Sequence, residues 1–341
     1  MARRSAARVY SAFGMPNLVP LLGMRRDIDV VHSCQNLLLT RRPWLVDLEH
    51  GQPFVGSDFN RLDNPVTRGI ILSLLASDRC RAILPWTETA ARAFTATFNP
   101  DAAIVAKMRV VAPAIRAPRI DPVERNSTRC RLLFVANRPE YNVLLKGGRE
   151  LLKAFRILRQ RFTRVSLTIV GPVQPDVAAA ARDIPGVLFT GTVPRAELET
   201  IYREADIYVM PTASDTFGMV FLEAMAHALP VVALNRPFTR DIVRHGETGL
   251  LVNVPASAIQ WCADDGRLTM NSEVLIAAVL NAPPDETLIE NLVDVLTMLI
   301  EDVPLRRKLG AAARDEIISG KFSILRRNQA LRDIYLQAMC S

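Results

Sequence analysis

Two carboxylates, Asp215 and Glu223, stand eight residues apart in a segment running from Met210 to Ala233. The segment reads as a strand that ends at Pro211, a polar loop carrying Asp215, and a helix opened by Gly218. The first amides of a helix have no intrahelical acceptor and share the positive end of its dipole, so the turn formed by Phe217, Gly218, Met219 and Val220 offers a seat for a diphosphate. Gly218 lets phosphate oxygens come close to the backbone. Glu223, about one and a half turns into the helix, suits the two hydroxyls of a ribose. Asp215, just before the helix, suits hydroxyls of a sugar beyond the diphosphate.

Such a constellation needs rigid elements beneath it. From about residue 131 short apolar runs alternate with amphipathic stretches, the pattern of a doubly wound parallel sheet. Strands are expected at Arg131–Ala136, Ser166–Val170, Val187–Thr190, Ile207–Met210 and Pro230–Leu234. Between them the helical repeat places Leu151, Leu152, Phe155 and Leu158 on one face of Gly148–Phe162, and further helices fall at Arg195–Ala205 and Met219–Ala228. Beyond Val252 only helices are expected: Glu273–Leu280, Asp285–Glu301, Pro304–Ser319 and Ser323–Met339. The first third is thinner, with strand cores at Asp29–His32, Trp44–Asp47, Arg81–Leu84 and Met108–Val111 and helices at Val66–Ser77 and Glu88–Phe98.

The Asp215 to Glu223 segment resembles the Glu-x7-Glu motif of retaining GT-B glycosyltransferases, the large family 4 in particular, with Asp215 in the place of the first Glu. Phe189-Thr-Gly-Thr-Val193, Ala205-Asp-Ile-Tyr-Val-Met-Pro211, Pro230-Val-Val-Ala233 and His245-Gly-Glu-Thr-Gly-Leu-Leu-Val252 resemble that family's flanking stretches. Lys146-Gly-Gly148 resembles its Lys-Gly turn, where a lysine neutralises the donor diphosphate, and Arg138 is implied as its partner over a longer interval than is usual. A compact ammonium and a planar guanidinium both suit phosphate oxygens. The resemblance also implies Thr192 and Val193 as donor contacts, and Glu49-His-Gly51 resembles the strand-end His-Gly that puts His50 against the donor sugar. His32, His227 and His245 read as structural. No counterpart of the family's first strand and Gly-rich loop is found in Met1–Arg26, which is short, basic and apolar.

The resemblance implies an α/β protein of GT-B type, two Rossmann-like domains facing a central cleft, with an unusually short amino-terminal domain. The expected division is 1–115 for the short acceptor-side domain, 116–128 for a proline-bearing linker, 129–322 for the nucleotide-sugar domain, and 323–341 for a terminal helix packing back toward the first domain. The implied activity is transfer of a sugar, with retention, from a nucleotide-sugar co-substrate to a glycan, lipid-linked or small-molecule acceptor, with no metal and no other cofactor. A catalytically weak module that binds nucleotide or a partner protein is the alternative left open by Asp215 and the missing loop. An Asp-x-Asp metal site is not suggested by Asp27-Ile-Asp29, which precedes its strand, and GxGxxG, Walker A and nucleophile-elbow patterns are absent.

The chain of 341 residues is 49% hydrophobic and carries a net charge of +7, of which residues 1–115 hold +5. Nucleic acid is not an expected partner. Arg3, Arg4, Arg8, Arg25 and Arg26 bracket an apolar stretch containing Leu18, Val19, Leu21 and Leu22, which is the composition of a peripheral contact with an anionic membrane. The other reading is that this stretch packs onto the first domain. Five scattered cysteines without CxxC spacing and no signal-peptide pattern lead to a cytoplasmic expectation, and under the membrane reading the contact is at the inner face.

Overall fold

The computed structural model describes residues 16–21, 27–55, 61–118, 129–136 and 142–340. Among them the strands are β1 (Leu18–Pro20), β2 (Val31–Cys34), β3 (Leu37–Leu39), β4 (Trp44–Leu48), β5 (Cys80–Pro85), β6 (Cys130–Val135), β7 (Val165–Val170), β8 (Val187–Gly191), β9 (Ile207–Met210), β10 (Val231–Leu234) and β11 (Gly249–Val252). The chain divides into two compact units. The first comprises Met1–Pro113, Cys262–Asn271 and Leu325–Ser341; the second comprises Ala114–Trp261 and Ser272–Ile324.

The second unit is built on a six-stranded parallel sheet in the order β11-β10-β9-β6-β7-β8. Its central strands are buried along nearly their whole length, as expected when helices cover both faces of a parallel sheet. The chain enters at β6, runs outward through β7 and β8, then returns to lay β9 on the other side of β6, with Leu132 beside Ile207. That reversal between β6 and β9 opens a crevice at their carboxyl ends, the place where open α/β sheets bind ligands. Helix Gly148–Arg161 buries Leu151, Leu152, Phe155 and Leu158 and leaves Lys153, Arg156 and Arg161 exposed. Helix Met219–Ala226 buries Phe221, Leu222, Ala224, Met225 and Ala226.

The first unit holds a three-stranded parallel sheet, β2-β4-β5, and a two-stranded parallel pair, β1-β3. Trp44, Val46, Leu48, Phe54, Ile71, Phe94 and Phe98 form its main core, against which Leu18, Val19 and Leu21 pack. Three of the apolar residues offered to a membrane are therefore half-buried against protein; the five flanking arginines lie outside the described residues. A second cluster joins Leu45, Ala82, Leu84 and Val111 to Leu331, Ile334, Tyr335 and Ala338 of the terminal helix Ile324–Cys340. Tyr335 Oη is 2.7 Å from His32 Nδ1, and Arg327 donates to the Val111 and Ala112 carbonyls.

The strand expected at Met108–Val111 does not form. Ile83 donates to Lys107 and Arg109 donates to Ile83, which makes one parallel bridge at Met108. The next rung would need an amide hydrogen on residue 85, and Pro85 has none. Val111 still donates to the Pro85 carbonyl, so the segment runs beside β5 without completing a ladder.

Candidate functional site

The loop after β9 and the turn before helix Gly148–Arg161 are stitched together over the crevice. Ala213 donates its amide to the Leu145 carbonyl at 3.1 Å. Lys146 Nζ donates to the Ser214 carbonyl and to Asp215 Oδ2, both at 2.7 Å. The Lys146 and Asp215 side chains are 19% and 15% exposed, so the pair is sheltered yet open to solvent. Gly147, at φ 80°, lies so close to the Pro211 carbonyl that no β-carbon fits between them. Thr212, almost fully buried, accepts from the Ser214 amide and donates to the Ser214 carbonyl, which shapes the bend before Asp215.

Asp215 Oδ1 is 3.4 Å from the Phe217 amide, a local turn contact. Phe217 itself points into the core, with its ring edge-on to Phe322 at 6.3 Å, so only its backbone is available to a ligand. Gly218 follows at φ 75° as the cap of helix Met219–Ala226. A side chain there would place its β-carbon 2.7 Å from the Phe221 ring and 3.1 Å from Asp215 Oδ2. No side chain caps this helix, so its first amides carry partial positive charge, close to the Asp215 carboxylate that Lys146 holds.

Glu223 lies further along, 19% exposed. Arg195 Nη1 donates to its Oε1 at 2.5 Å and the Tyr202 hydroxyl donates to its Oε2 at 3.1 Å. Thr192 and Val193 form the bend between β8 and helix Arg195–Glu204, so Arg195 ties that bend to Glu223. The structure thus brings Lys146, Asp215, Gly218, Met219 and Val220 to one loop pair, with Glu223 on the helix they lead into. His50 belongs to the first unit, at the end of β4, and burial lowers its pKa while the neighbouring Glu49 carboxylate opposes that shift. Arg138 lies outside the described residues.

Arg195, Glu199 and Tyr202 were not legible as site residues from motif reasoning, and His227, read as structural, proves to touch the Glu223 backbone. His227 stands four residues after Glu223 on one helical face, and Arg195 directly follows the Thr192–Pro194 bend; those spacings were the available signals. Among the described residues no group of three or more His, Cys, Asp or Glu side chains is placed to hold a metal ion, and no helix is long and apolar enough to cross a membrane.

Comparison with known proteins adds a family match: residues 129–264 match the family described as glycosyl transferases group 1. The chain is 30% identical over 200 residues to sulfoquinovosyl transferase SQD2 of Arabidopsis thaliana, covering 56% of this chain and 32% of that protein. It is 37% identical over 150 residues to a phosphatidyl-myo-inositol mannosyltransferase of Mycobacterium tuberculosis, covering 43% and 38%. The chain thus spans about a third of the length of these curated relatives. The fold is that of HepE from Anabaena, solved with UDP, at a TM-score of 0.63 and 14% identity over 98% of this chain and 81% of that one. The fold is therefore GT-B, and the match to group 1 glycosyltransferases lies within the strand-and-loop region that carries Lys146, Asp215 and Glu223.

Proposed function

We propose that the protein is a retaining, metal-independent glycosyltransferase of family 4 type that moves a sugar from a nucleotide-sugar donor to a glycan, lipid-linked or small-molecule acceptor. The observation that carries the reading is the seat at the β6/β9 reversal, where the Lys146 ammonium and the uncapped amides of helix Met219–Ala226 converge beside Asp215. An ammonium and a helix start at one crevice supply fixed positive charge for a diphosphate, most valuable as negative charge grows on it during departure. The relatives named for sulfoquinovosyl and mannosyl transfer, and HepE with its UDP, support the same class of donor. No observation favours an inert module.

In this reading Lys146, with Arg138 as its partner, and the amides following Phe217 hold the diphosphate. Thr192 and Val193 line the nucleotide, Glu223 takes the ribose hydroxyls, and Asp215 orients the transferred sugar. The bond from the anomeric carbon to the phosphate oxygen breaks as the acceptor oxygen bonds to that carbon on the same face. The acceptor's proton passes to the departing phosphate oxygen, so configuration is retained without a covalent enzyme intermediate. Lys146→Ala tests the assignment. Binding of UDP, GDP or ADP, whichever the wild type takes, should weaken by about tenfold or more, and turnover with the matching sugar nucleotide should fall further. Unchanged affinity and rate would remove Lys146 from the site.

A further inference from the structure

Glu223 is held at both ends by side chains to which the proposed reaction gives no part. Arg195 reaches its Oε1 through Nη1, while Nη2 lies 2.5 Å from Glu199 Oε1, one turn further along the same helix. Glu199 Oε2 is 2.7 Å from Nε2 of His227. His227 is 2% exposed, stacks on Tyr202 at 5.0 Å with 14° between the rings, and has its Nδ1 2.8 Å from the Glu223 carbonyl oxygen. A carbonyl only accepts, so Nδ1 carries a hydrogen and donates. The Tyr202 phenol, which burial holds well above its usual pKa, stays a donor to Oε2. Contacts through Arg195, Glu199, His227 and Tyr202 thereby run from the carboxylate of Glu223 back to its own backbone, a ring in which the Glu199–His227 step is a close approach rather than a hydrogen bond.

The ring fixes what Glu223 has left to offer. A carboxylate presents about four lone-pair directions, two on each oxygen. Arg195 occupies one on Oε1 and Tyr202 one on Oε2, which leaves one acceptor position on each. Two acceptors on one rigid carboxylate match a pair of adjacent hydroxyls. Arg195 is 59% exposed, and ion pairs so open to water add little to folding. Its cost of ordering is therefore better explained by the group it aims than by stability.

We propose that Arg195, Glu199 and His227 are positioning residues that hold Glu223 as a two-point acceptor for a vicinal diol, so that the protein selects ribonucleotides over 2′-deoxyribonucleotides. This rests on Glu223 facing the donor's ribose, as in the function proposed above. Arg195 sets the lateral position of the carboxylate, Glu199 holds Arg195, and His227 anchors Glu199 to the helix that carries Glu223.

The test is titration of UDP, GDP and ADP and their 2′-deoxy counterparts into wild type, Arg195→Met, Glu199→Gln, His227→Asn, His227→Gln and Glu223→Gln, with thermal midpoints measured beside each. Wild type should bind the ribonucleotide of its accepted base about tenfold more tightly than the deoxy form, the effect of one hydrogen bond to a charged group. Glu223→Gln and Arg195→Met should bring that ratio close to one by weakening the ribonucleotide. Glu199→Gln and His227→Asn should lower it by about threefold, and His227→Gln, whose amide reaches toward Glu199, should restore part of the loss. Midpoints of Arg195→Met and Glu199→Gln should stay near wild type, which separates aiming from folding. If Glu223→Gln abolishes the preference while Arg195→Met and Glu199→Gln leave it intact, the positioning role is overturned and the ribose assignment survives. A wild-type ratio near one, or one indifferent to Glu223→Gln, overturns the ribose assignment and the inference with it.

Discussion

Asp215→Asn separates the two jobs assigned to the loop after β9. Asp215 is the counter-charge of Lys146, 2.7 Å away, while Lys146 also donates to the Ser214 carbonyl. Asparagine keeps an acceptor at that place but no charge, so an ion pair becomes a hydrogen bond from a charged donor to a neutral acceptor at a cost of about 1 kcal/mol, with both side chains less than a fifth exposed. Thermal unfolding should fall by about 2–4 °C, the shift such a loss produces in a unit of this size. Nucleotide binding should move the other way. A diphosphate held by Lys146 lies about 6 Å from Asp215, where like charges repel by about 3 kcal/mol at an effective dielectric of 20 before screening. Removing that repulsion and releasing Lys146 should leave nucleoside diphosphate affinity unchanged or up to about tenfold tighter by calorimetry. Transfer, which needs the carboxylate on the sugar, should slow by about tenfold to a hundredfold. Affinity that falls in step with turnover would refute the division between a phosphate-holding lysine and a sugar-holding aspartate.

Gly218→Ala should destabilise the second unit by about 1–2 kcal/mol and weaken nucleotide binding, because φ 75° and a β-carbon 2.7 Å from Phe221 force the helix start to shift; a wild-type melting curve and affinity would argue against it. Transfer should survive excess chelator, since the helix start and Lys146 supply the positive charge; loss restored by magnesium or manganese would contradict this. The pKa of His50 is lowered by burial, so its contribution to stability is present above the unfolded value of about 6.5 and is lost as pH falls toward the folded value. Denaturant titrations between pH 7 and pH 5 should show a shallower acid loss in His50→Asn than in wild type, and parallel curves would refute it.

Sequence periodicity was most informative for β6 to β10 of the six-stranded sheet and for one amphipathic helix of the first unit. β9 and helix Glu88–Phe98 fall on the expected residues, and β6, β7, β8 and β10 lie within a residue of expectation at each end, because runs such as Leu132–Val135 have no polar residue to blur the pattern. The Met108–Val111 segment looked equally strand-like, but its fate is decided by Pro85 in the neighbouring strand, 23 residues earlier. The short β1-β3 pair was missed because Leu18–Pro20 and Leu37–Leu39 are too brief to show alternation, and their pairing is a long-range event. Motif spacing pointed to Lys146, Asp215 and Glu223. It was silent on Arg195 and Glu199, whose roles follow from helices that meet only in three dimensions.

The composition of the first unit bears on the order in which the protein is made. Domains generally fold as their residues leave the ribosome, and Ala114–Trp261 with Ser272–Ile324 contain every strand of the six-stranded sheet. The first unit, although begun earlier, takes Cys262–Asn271 from the middle of the chain and Leu331, Ile334, Tyr335 and Ala338 from a helix translated after the whole second unit. Until that helix emerges, Leu45, Ala82, Leu84 and Val111 lack their cover. The nascent chain thus carries an apolar sheet face from the synthesis of Val111 until that helix follows the second unit, so the first unit closes only after the second has been made.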